Sequence, residues 1–158
     1  MGKKTGANPT DRAKSGAKRS VLTEGQGIPI GIAIEGANRH DMKLVRGTLE
    51  SIPIPRPIPN EREKQNMCLD KGYDYNEVRE ILAEFGFTAH IRARGEEAQL
   101  IKKEAGFKAR RWVVERCHSW MNRFRRILIR WDKKPENYLA FLQFACGLVA
   151  LRSAGLFG

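Results

Sequence analysis

The stretch "MCLDKGYDYNEVREILAEFGFTAHIRA" (residues 67–93) contains two kinds of hydrophobic pattern in succession. "MCLD" is a short apolar run and "FTAHIRA" alternates apolar with polar residues, and both patterns are typical of strands. The segment between them has the three- and four-residue spacing of a helix, with Gly86 as its C-terminal stop. Its inward-facing residues are Val78, Ile81, Leu82 and Phe85. The stretch therefore predicts a strand, a helix and a second strand, as in an α/β fold.

The residues before this stretch predict a hairpin and a helix. "SVLTEGQGIPIGIAIEG" (residues 20–36) has two β-rich runs around a Gly-Gln-Gly turn. "NRHDMKLVRGTLESI" (residues 38–52) follows the period of a helix whose capping residue is Asn38 or Asp41. The alternating prolines of residues 52–66 then exclude both a helix and a central strand. The body of the chain is thus predicted to run β-β-α-β-α-β.

The last third of the chain is predicted to be helical. Residues 106–131 carry an apolar stripe at helical spacing, and residues 135–152 begin with Pro135 and are apolar on nearly every side. The longest apolar run lies in the second helix and is short for a bilayer span, so we interpret it as a core helix. The stripe of the first helix contains Val113, Cys117, Trp120, Met121, Phe124, Ile127, Leu128 and Trp131.

Length and composition indicate one folded domain. The chain has 158 residues, 41% of them hydrophobic, which suits a single core. Residues 1–19 mix Gly, Pro, Ser and Lys without an apolar period, so we expect a basic flexible arm there and the folded domain in residues 20–158. The three cysteines include no CxxC pair, which argues against a disulfide framework or a zinc site and favours the reducing cytoplasm.

The charge of the chain indicates a polyanionic partner. The net charge is +11, a balance typical of proteins that bind nucleic acid. Residues 1–19 hold six Lys and Arg and one acid, and residues 108–134 hold ten and two. These two basic segments flank a nearly neutral body. We therefore expect DNA or RNA as the partner, a location at the nucleoid, and no membrane partner.

Two acids stand out by position. Asp70 ends the predicted strand "MCLD", and ligands of α/β folds usually bind at the C-terminal ends of strands. Glu115 falls on the face of its helix opposite the apolar stripe. Two such carboxylates could share a divalent cation while the arginines around them hold DNA phosphates. Other roles are open, because Glu115 could pair with Arg111 one turn away and Asp70 could cap a helix.

The motifs around these acids resemble a known family. "LDKGYD" (residues 69–74) and "RRWVVERCHSWMNRFRR" (residues 110–126) resemble the second Asp and the Glu regions of insertion-sequence transposases of the IS4/IS5 type. "GANPTDRAKSGAKRSVL" (residues 6–22) and "GIPIGIAIEGANRHD" (residues 27–41) are similar to the stretch that precedes these regions in the same family. The resemblance covers nearly the whole chain.

The resemblance implies a fold, a reaction and a set of site residues. The family has an RNase H-like fold, a mixed sheet with helices on both faces, in which an Asp-Asp-Glu triad binds two Mg²⁺ or Mn²⁺ ions and cleaves and transfers DNA strands. It implies that Asp70 is the second acid of the triad and Glu115 the third. Lys108 and Asn122 stand where the family has Tyr and Lys. The residues that we expect to bind DNA are Lys108, Arg111, Arg116, His118, Asn122, Arg123 and Arg126. His118, one turn from Glu115, could instead order that acid.

The first acid of the triad has no counterpart in this sequence. In the family it lies on a strand upstream of a region that resembles "GKKTGANPTDR" (residues 2–12). We therefore expect an N-terminally truncated domain without its central first strand, poorly stable and inactive alone. Its partner would be an upstream segment joined by frameshifting, or a homo-oligomer in a synaptic complex. The chain could instead be a decayed fragment of a transposase.

Alternative functions are a non-catalytic nucleic-acid-binding module that competes with a full transposase, or a structural RNA binder.

Overall fold

The computed structural model describes residues 3–92 and 111–156, which fall into two units. The first unit comprises Met1–Pro53 and Val113–Gly158, and the second comprises Ile54–Trp112. Both units combine helices with strands. The predicted α/β class is therefore confirmed, and each unit is described by itself below.

The first unit contains an antiparallel sheet of three strands. Strand β1 (Gly6–Ala7) pairs with β2 (Ser15–Thr23), and β2 pairs with β3 (Pro29–Gly36). The hairpin predicted between residues 20 and 36 is confirmed. Its turn is closed by Glu24, whose carboxylate accepts hydrogen bonds of 2.8 Å from the backbone N–H groups of Gln26 and Ile28.

Part of the segment that is predicted to be a flexible arm, residues 1–19, forms strands. Residues 6–7 and 15–19 lie in strands β1 and β2. Gly6 is buried, and a Cβ on it would lie 1.9 Å from Oδ1 of Asn38. The segment is held by the backbone pairing of β1 with β2 and by the close approach of Gly6 to Asn38. Neither contact requires apolar residues at a regular spacing, so the sequence pattern does not reveal them. The division of the chain into an arm and a domain stays a prediction.

A short helix covers one part of this sheet. A 3-10 turn, Asp41–Leu44, continues into α1 (Val45–Glu50), which packs against β3. The turn is capped by His40, whose Nδ1 accepts from the N–H of Met42, and not by Asn38 or Asp41 as predicted. Ser51 connects helix and sheet, because its hydroxyl accepts from the N–H of Ile32 and donates to the carbonyl of Thr48.

The long helix predicted to end near residue 131 is two helices. Helix α3 (Arg111–Asn122) ends before a break at Phe124, whose backbone is extended, and α4 (Arg125–Leu128) follows. Because of this break, the residues after Phe124 do not continue the buried face of α3 that the helical spacing predicts. Leu128 and Trp131, predicted to be buried, are 53% and 72% exposed. Ile127 keeps its predicted place in the core.

The core of the first unit forms between β3 and the C-terminal helices. Helix α5 (Pro135–Ser153) confirms the predicted core helix and lies against β3 and α4. The hydroxyl of Tyr138 donates a 2.9 Å hydrogen bond to the carbonyl of Ile127, which ties α5 to α4. None of the helices within the described ranges is long and apolar enough to span a membrane. The core residues are Ile32, Ile34, Cys117, Met121, Ile127, Tyr138, Leu142 and Ala145.

The second unit is the strand–helix–strand predicted for residues 67–93. Strand β4 (Gln65–Asp70) and strand β5 (Phe87–Arg92) are parallel and paired from end to end, and α2 (Asn76–Glu84) connects them. Gly86 ends the helix with a φ of +75°, the left-handed conformation that favours glycine. The buried residues are Met67 on β4 and Val78, Ile81 and Leu82 on α2.

The proline-rich segment before β4 is fixed by one arginine. The guanidinium of Arg56 lies 4.1 Å from the ring centroid of Phe87 and donates to the side chain of Gln65 and the carbonyl of Phe85. The segment has no regular secondary structure up to residue 64, as its prolines predict.

Candidate functional site

Asp70 is the last residue of β4, at the C-terminal end of the parallel pair. Its side chain is exposed, and Oδ1 accepts a 2.8 Å hydrogen bond from the N–H of Gly72, which caps a 3-10 turn at Lys71–Tyr73. A Cβ on Gly72 would lie 2.9 Å from that oxygen, so any other residue here would make the Asp70 carboxylate shift. Asp70 therefore has the capping role that its sequence position left open. This role fixes one carboxylate oxygen and is compatible with a ligand on the other.

The face of the sheet that carries Asp70 is polar. Asn66, Cys68 and Asp70 alternate along β4 with Met67 and Leu69 and are exposed, whereas Met67 is buried. On β5, His90 is exposed, and its Nε2 is 2.8 Å from Oδ1 of Asn66. Parallel sheets are usually covered on both faces. Within the described residues, this exposed polar face beside a strand-end carboxylate is therefore suited to a polar ligand.

Glu115 is exposed on α3, while Val113, Cys117 and Met121 on the same helix are buried. This arrangement confirms that the acid lies opposite the apolar stripe. Glu115 belongs to the first unit and Asp70 to the second. Lys108 and the side chain of Arg111 lie outside the described residues, so the ion pair between Arg111 and Glu115 stays a prediction.

The donor chemistry of the two acids suits a hard cation. Carboxylate oxygens are the ligands that Mg²⁺ and Mn²⁺ prefer, and both acids are accessible. Among the residues that the structure describes, no group of three or more His, Cys, Asp or Glu is arranged to hold a metal. These residues therefore provide suitable ligands but not a complete metal site.

Two of the predicted DNA-binding arginines already make contacts within the fold. Arg116 donates to the carbonyl of Gln26 in the β2–β3 turn and lies 4.8 Å from the ring centroid of Trp120. Arg126 pairs with Asp132 at 2.8 Å. Arg123, in contrast, is exposed and makes no ion pair within the described ranges. Of these three, Arg123 has the guanidinium most available for a phosphate.

His118 is half-buried on α3, and its environment keeps the imidazole neutral. Burial lowers its pKa from the ordinary value of about 6.5, and the positive charge of Arg19 lowers the pKa further. A neutral imidazole can donate or accept a hydrogen bond but cannot attract a phosphate by charge. A charge-based contact with DNA is therefore not supported for His118, although its predicted role in DNA binding is otherwise untested.

We expect His118 to make the first unit less stable at mildly acidic pH. Because its folded pKa is lower than its unfolded pKa, the unfolded chain binds the proton more tightly. The stabilisation is complete above about pH 6.5 and is lost as the pH falls toward the folded value. Urea unfolding at about pH 7.5 and about pH 5.5 checks this against His118→Gln, which should lose less stability on acidification. Equal losses in both proteins would contradict the prediction.

Asn122 accepts a hydrogen bond from Arg19, a residue of the segment that is predicted to be a flexible arm. Oδ1 of Asn122, at the end of α3, accepts a 2.8 Å hydrogen bond from a guanidinium nitrogen of Arg19 on β2. The two residues are 103 positions apart in the chain. The only sequence signal for Arg19 was its charge, since hydrophobic periods do not report pairing between distant polar residues.

Comparisons with known proteins identify the family of this chain. The family model described as "Transposase DDE domain" matches residues 1–149. The chain is also 35% identical over 149 residues to a protein of Burkholderia cepacia named "Putative transposase for insertion sequence element IS402", with 92% of this chain and 68% of that protein covered. No solved structure matches the chain significantly. Given a family match over nearly its whole length, the chain belongs to the DDE transposases of insertion sequences and is thereby assigned to DNA transposition.

Proposed function

We propose that this chain provides two of the three acids of a metal-dependent site that cleaves and transfers DNA strands. Asp70 and Glu115 would hold the metal ions, which activate the attacking oxygen and stabilise the leaving one. The observation that carries this proposal is the position of Asp70. Its carboxylate is fixed at the end of a strand by the N–H of Gly72 and lies on a face of β4 whose described side chains are polar and exposed.

The proposed fold is an RNase H-like domain that a further strand would complete. Within the described residues, β3 pairs only with β2, and β4 pairs only with β5. Unpaired strand edges are ready to accept another strand. A central strand ending in the first acid would satisfy these edges and bring the third carboxylate. This requirement supports an upstream segment or a second protein chain as partner, and it predicts little activity from these residues alone.

The proposed DNA contacts surround Glu115. Arg123 is exposed on the same basic stretch, and Lys108 and Arg111 precede Glu115 in the sequence. Arg116 and Arg126 would bind DNA only by giving up or sharing the contacts that they make to Gln26 and Asp132. We therefore assign phosphate binding chiefly to Arg123, Lys108 and Arg111.

The test is the metal dependence of DNA cleavage. The chain, produced together with the coding segment upstream of it in its element, would be incubated with a plasmid that carries the element's ends. We expect strand cleavage with Mg²⁺ or Mn²⁺, no cleavage with EDTA, and unchanged binding of the same DNA in a gel-shift assay. Cleavage that persists in EDTA would contradict the proposal.

A non-catalytic nucleic-acid-binding module is the second candidate function. The net charge of +11 favours it. Such a module would bind DNA with a strong salt dependence and would respond neither to EDTA nor to the loss of Asp70 or Glu115. Salt-sensitive binding without any metal-dependent cleavage would therefore favour this function.

A further inference from the structure

Arg19 on β2 is held in an unusual environment for a charged side chain. It is half-buried, and one guanidinium nitrogen donates to Oδ1 of Asn122 at 2.8 Å. The other terminal nitrogen, NH1, is buried and makes no hydrogen bond within the described residues. An unpartnered buried donor on a charged group disfavours folding. The fold therefore keeps this guanidinium in place without satisfying it.

No acid among the described residues neutralises this charge. The neighbouring residue Lys18 is different, because its ammonium pairs with Asp41 at 3.0 Å. The titratable groups that sense Arg19 on the C-terminal helices include Cys117, His118 and Cys146. Burial raises the pKa of the two thiols to about 11 and about 12, and burial lowers that of the imidazole. All three are uncharged near pH 7, so Arg19 retains its full positive charge.

The position of this charge relative to Glu115 follows from the geometry of α3. Asn122 lies seven residues after Glu115, so both are on the same face of the helix, about 10 Å apart along its axis. Both side chains are exposed. Through Asn122, the guanidinium of Arg19 is therefore fixed at the end of the helix face that carries Glu115.

We propose that Arg19, positioned by Asn122, binds a phosphate of the DNA strand that lies along α3. This inference rests on the proposed function and extends it to a residue outside the predicted site. Of the five N–H donors of arginine, the two on NH1 are buried and cannot reach a phosphate, and one on NH2 is taken by Asn122. The second N–H of NH2 and the N–H of Nε remain as donors for a phosphate. Partial burial strengthens the attraction, because the guanidinium has less water to give up and the local dielectric is lower.

The experiment compares variants of the full chain in binding a fluorescein-labelled DNA duplex by anisotropy across a series of salt concentrations. Asn122→Asp places a carboxylate against the guanidinium and neutralises it without disturbing the core. Arg19→Gln removes the charge, and its fold is verified by circular dichroism. Gln143→Glu adds the same negative charge as Asn122→Asp at an exposed position of α5. Lys18→Gln removes one positive charge from the opposite face of β2.

We expect Asn122→Asp and Arg19→Gln each to weaken binding about tenfold at low salt, as the loss of one charged hydrogen bond would. The slope of log K against log salt should fall by about 0.9 in both, the value for one phosphate contact. The two control variants should leave the slope unchanged. In the Arg19→Gln background, Asn122→Asp should have little further effect, because no guanidinium remains to neutralise.

The inference would be overturned if Asn122→Asp weakened binding no more than Gln143→Glu, or acted equally in both backgrounds. It would also fail if Arg19→Gln lowered the stability of the fold without changing the salt slope, since Arg19 would then only stabilise the fold. This assay requires neither metal nor cleavage. An unaltered chain with no salt-dependent binding would contradict the proposed function itself, whereas normal binding by every variant contradicts only the role of Arg19.

Discussion

Replacing Asp70 by Asn, or Glu115 by Gln, should lower metal-dependent DNA cleavage about a thousandfold, the size of effect expected when a group that stabilises transition-state charge is lost. Both changes remove a negative charge and keep the size of the side chain. Asn at position 70 can still accept from the N–H of Gly72, so the turn at Lys71–Tyr73 should persist. Glu115 is exposed, so its replacement should not disturb the core. The measurement is cleavage of element-end DNA by the chain reconstituted with its upstream segment.

The matched control for these variants is Asp74→Asn. Asp74 lies four residues after Asp70, is also exposed, and pairs with Arg79 at 2.7 Å. An exposed ion pair contributes little to stability, about 0–1 kcal/mol, and Asp74 has no assigned part in the metal site. Cleavage should therefore change little in this variant, and DNA binding should be retained in all three. Full cleavage by either the Asp70 or the Glu115 variant would reject that acid as a metal ligand.

The prediction of the second unit from sequence succeeded because local patterns determine it. Each strand of residues 67–93 and the helix between them has one dominant period, and Gly86 marks the helix end with a φ of +75°. Asp70 could be found for the same reason, since its position at a strand end follows directly from the pattern. Both candidate acids could therefore be identified from sequence, because Asp70 terminates a regular hydrophobic pattern and Glu115 lies opposite one.

The parts of the site that sequence did not predict depend on contacts between distant residues. Arg19 meets Asn122 across 103 positions, and Arg116 is committed to a turn 90 positions before it. The break at Phe124 was also missed, because apolar residues continue at helical spacing on both sides of it. A helical wheel assumes an unbroken helix, so its extrapolation failed for Trp131.

The buried face of helix α5 could not be predicted from sequence either, because the helix is apolar on nearly every side. In the structure, Leu142 is fully buried in the core of the first unit, whereas Phe144 on the same helix is 67% exposed. The two residues are equally plausible core residues by composition. Burial of one and exposure of the other is a three-dimensional outcome that a stability measurement can check.

Leu142→Ala should lower the free energy of unfolding of the first unit by about 2–5 kcal/mol, through lost apolar burial and the cavity that remains. Because natural domains have only about 5–15 kcal/mol of stability, this one change should leave much of the protein unfolded at moderate urea concentrations. Phe144→Ala removes a larger apolar side chain from the same helix, yet a mutation at an exposed position should change stability by only about 0.5 kcal/mol. Urea unfolding followed by circular dichroism distinguishes the two. If Phe144→Ala were the more destabilising change, the face of α5 assigned to the core would be wrong.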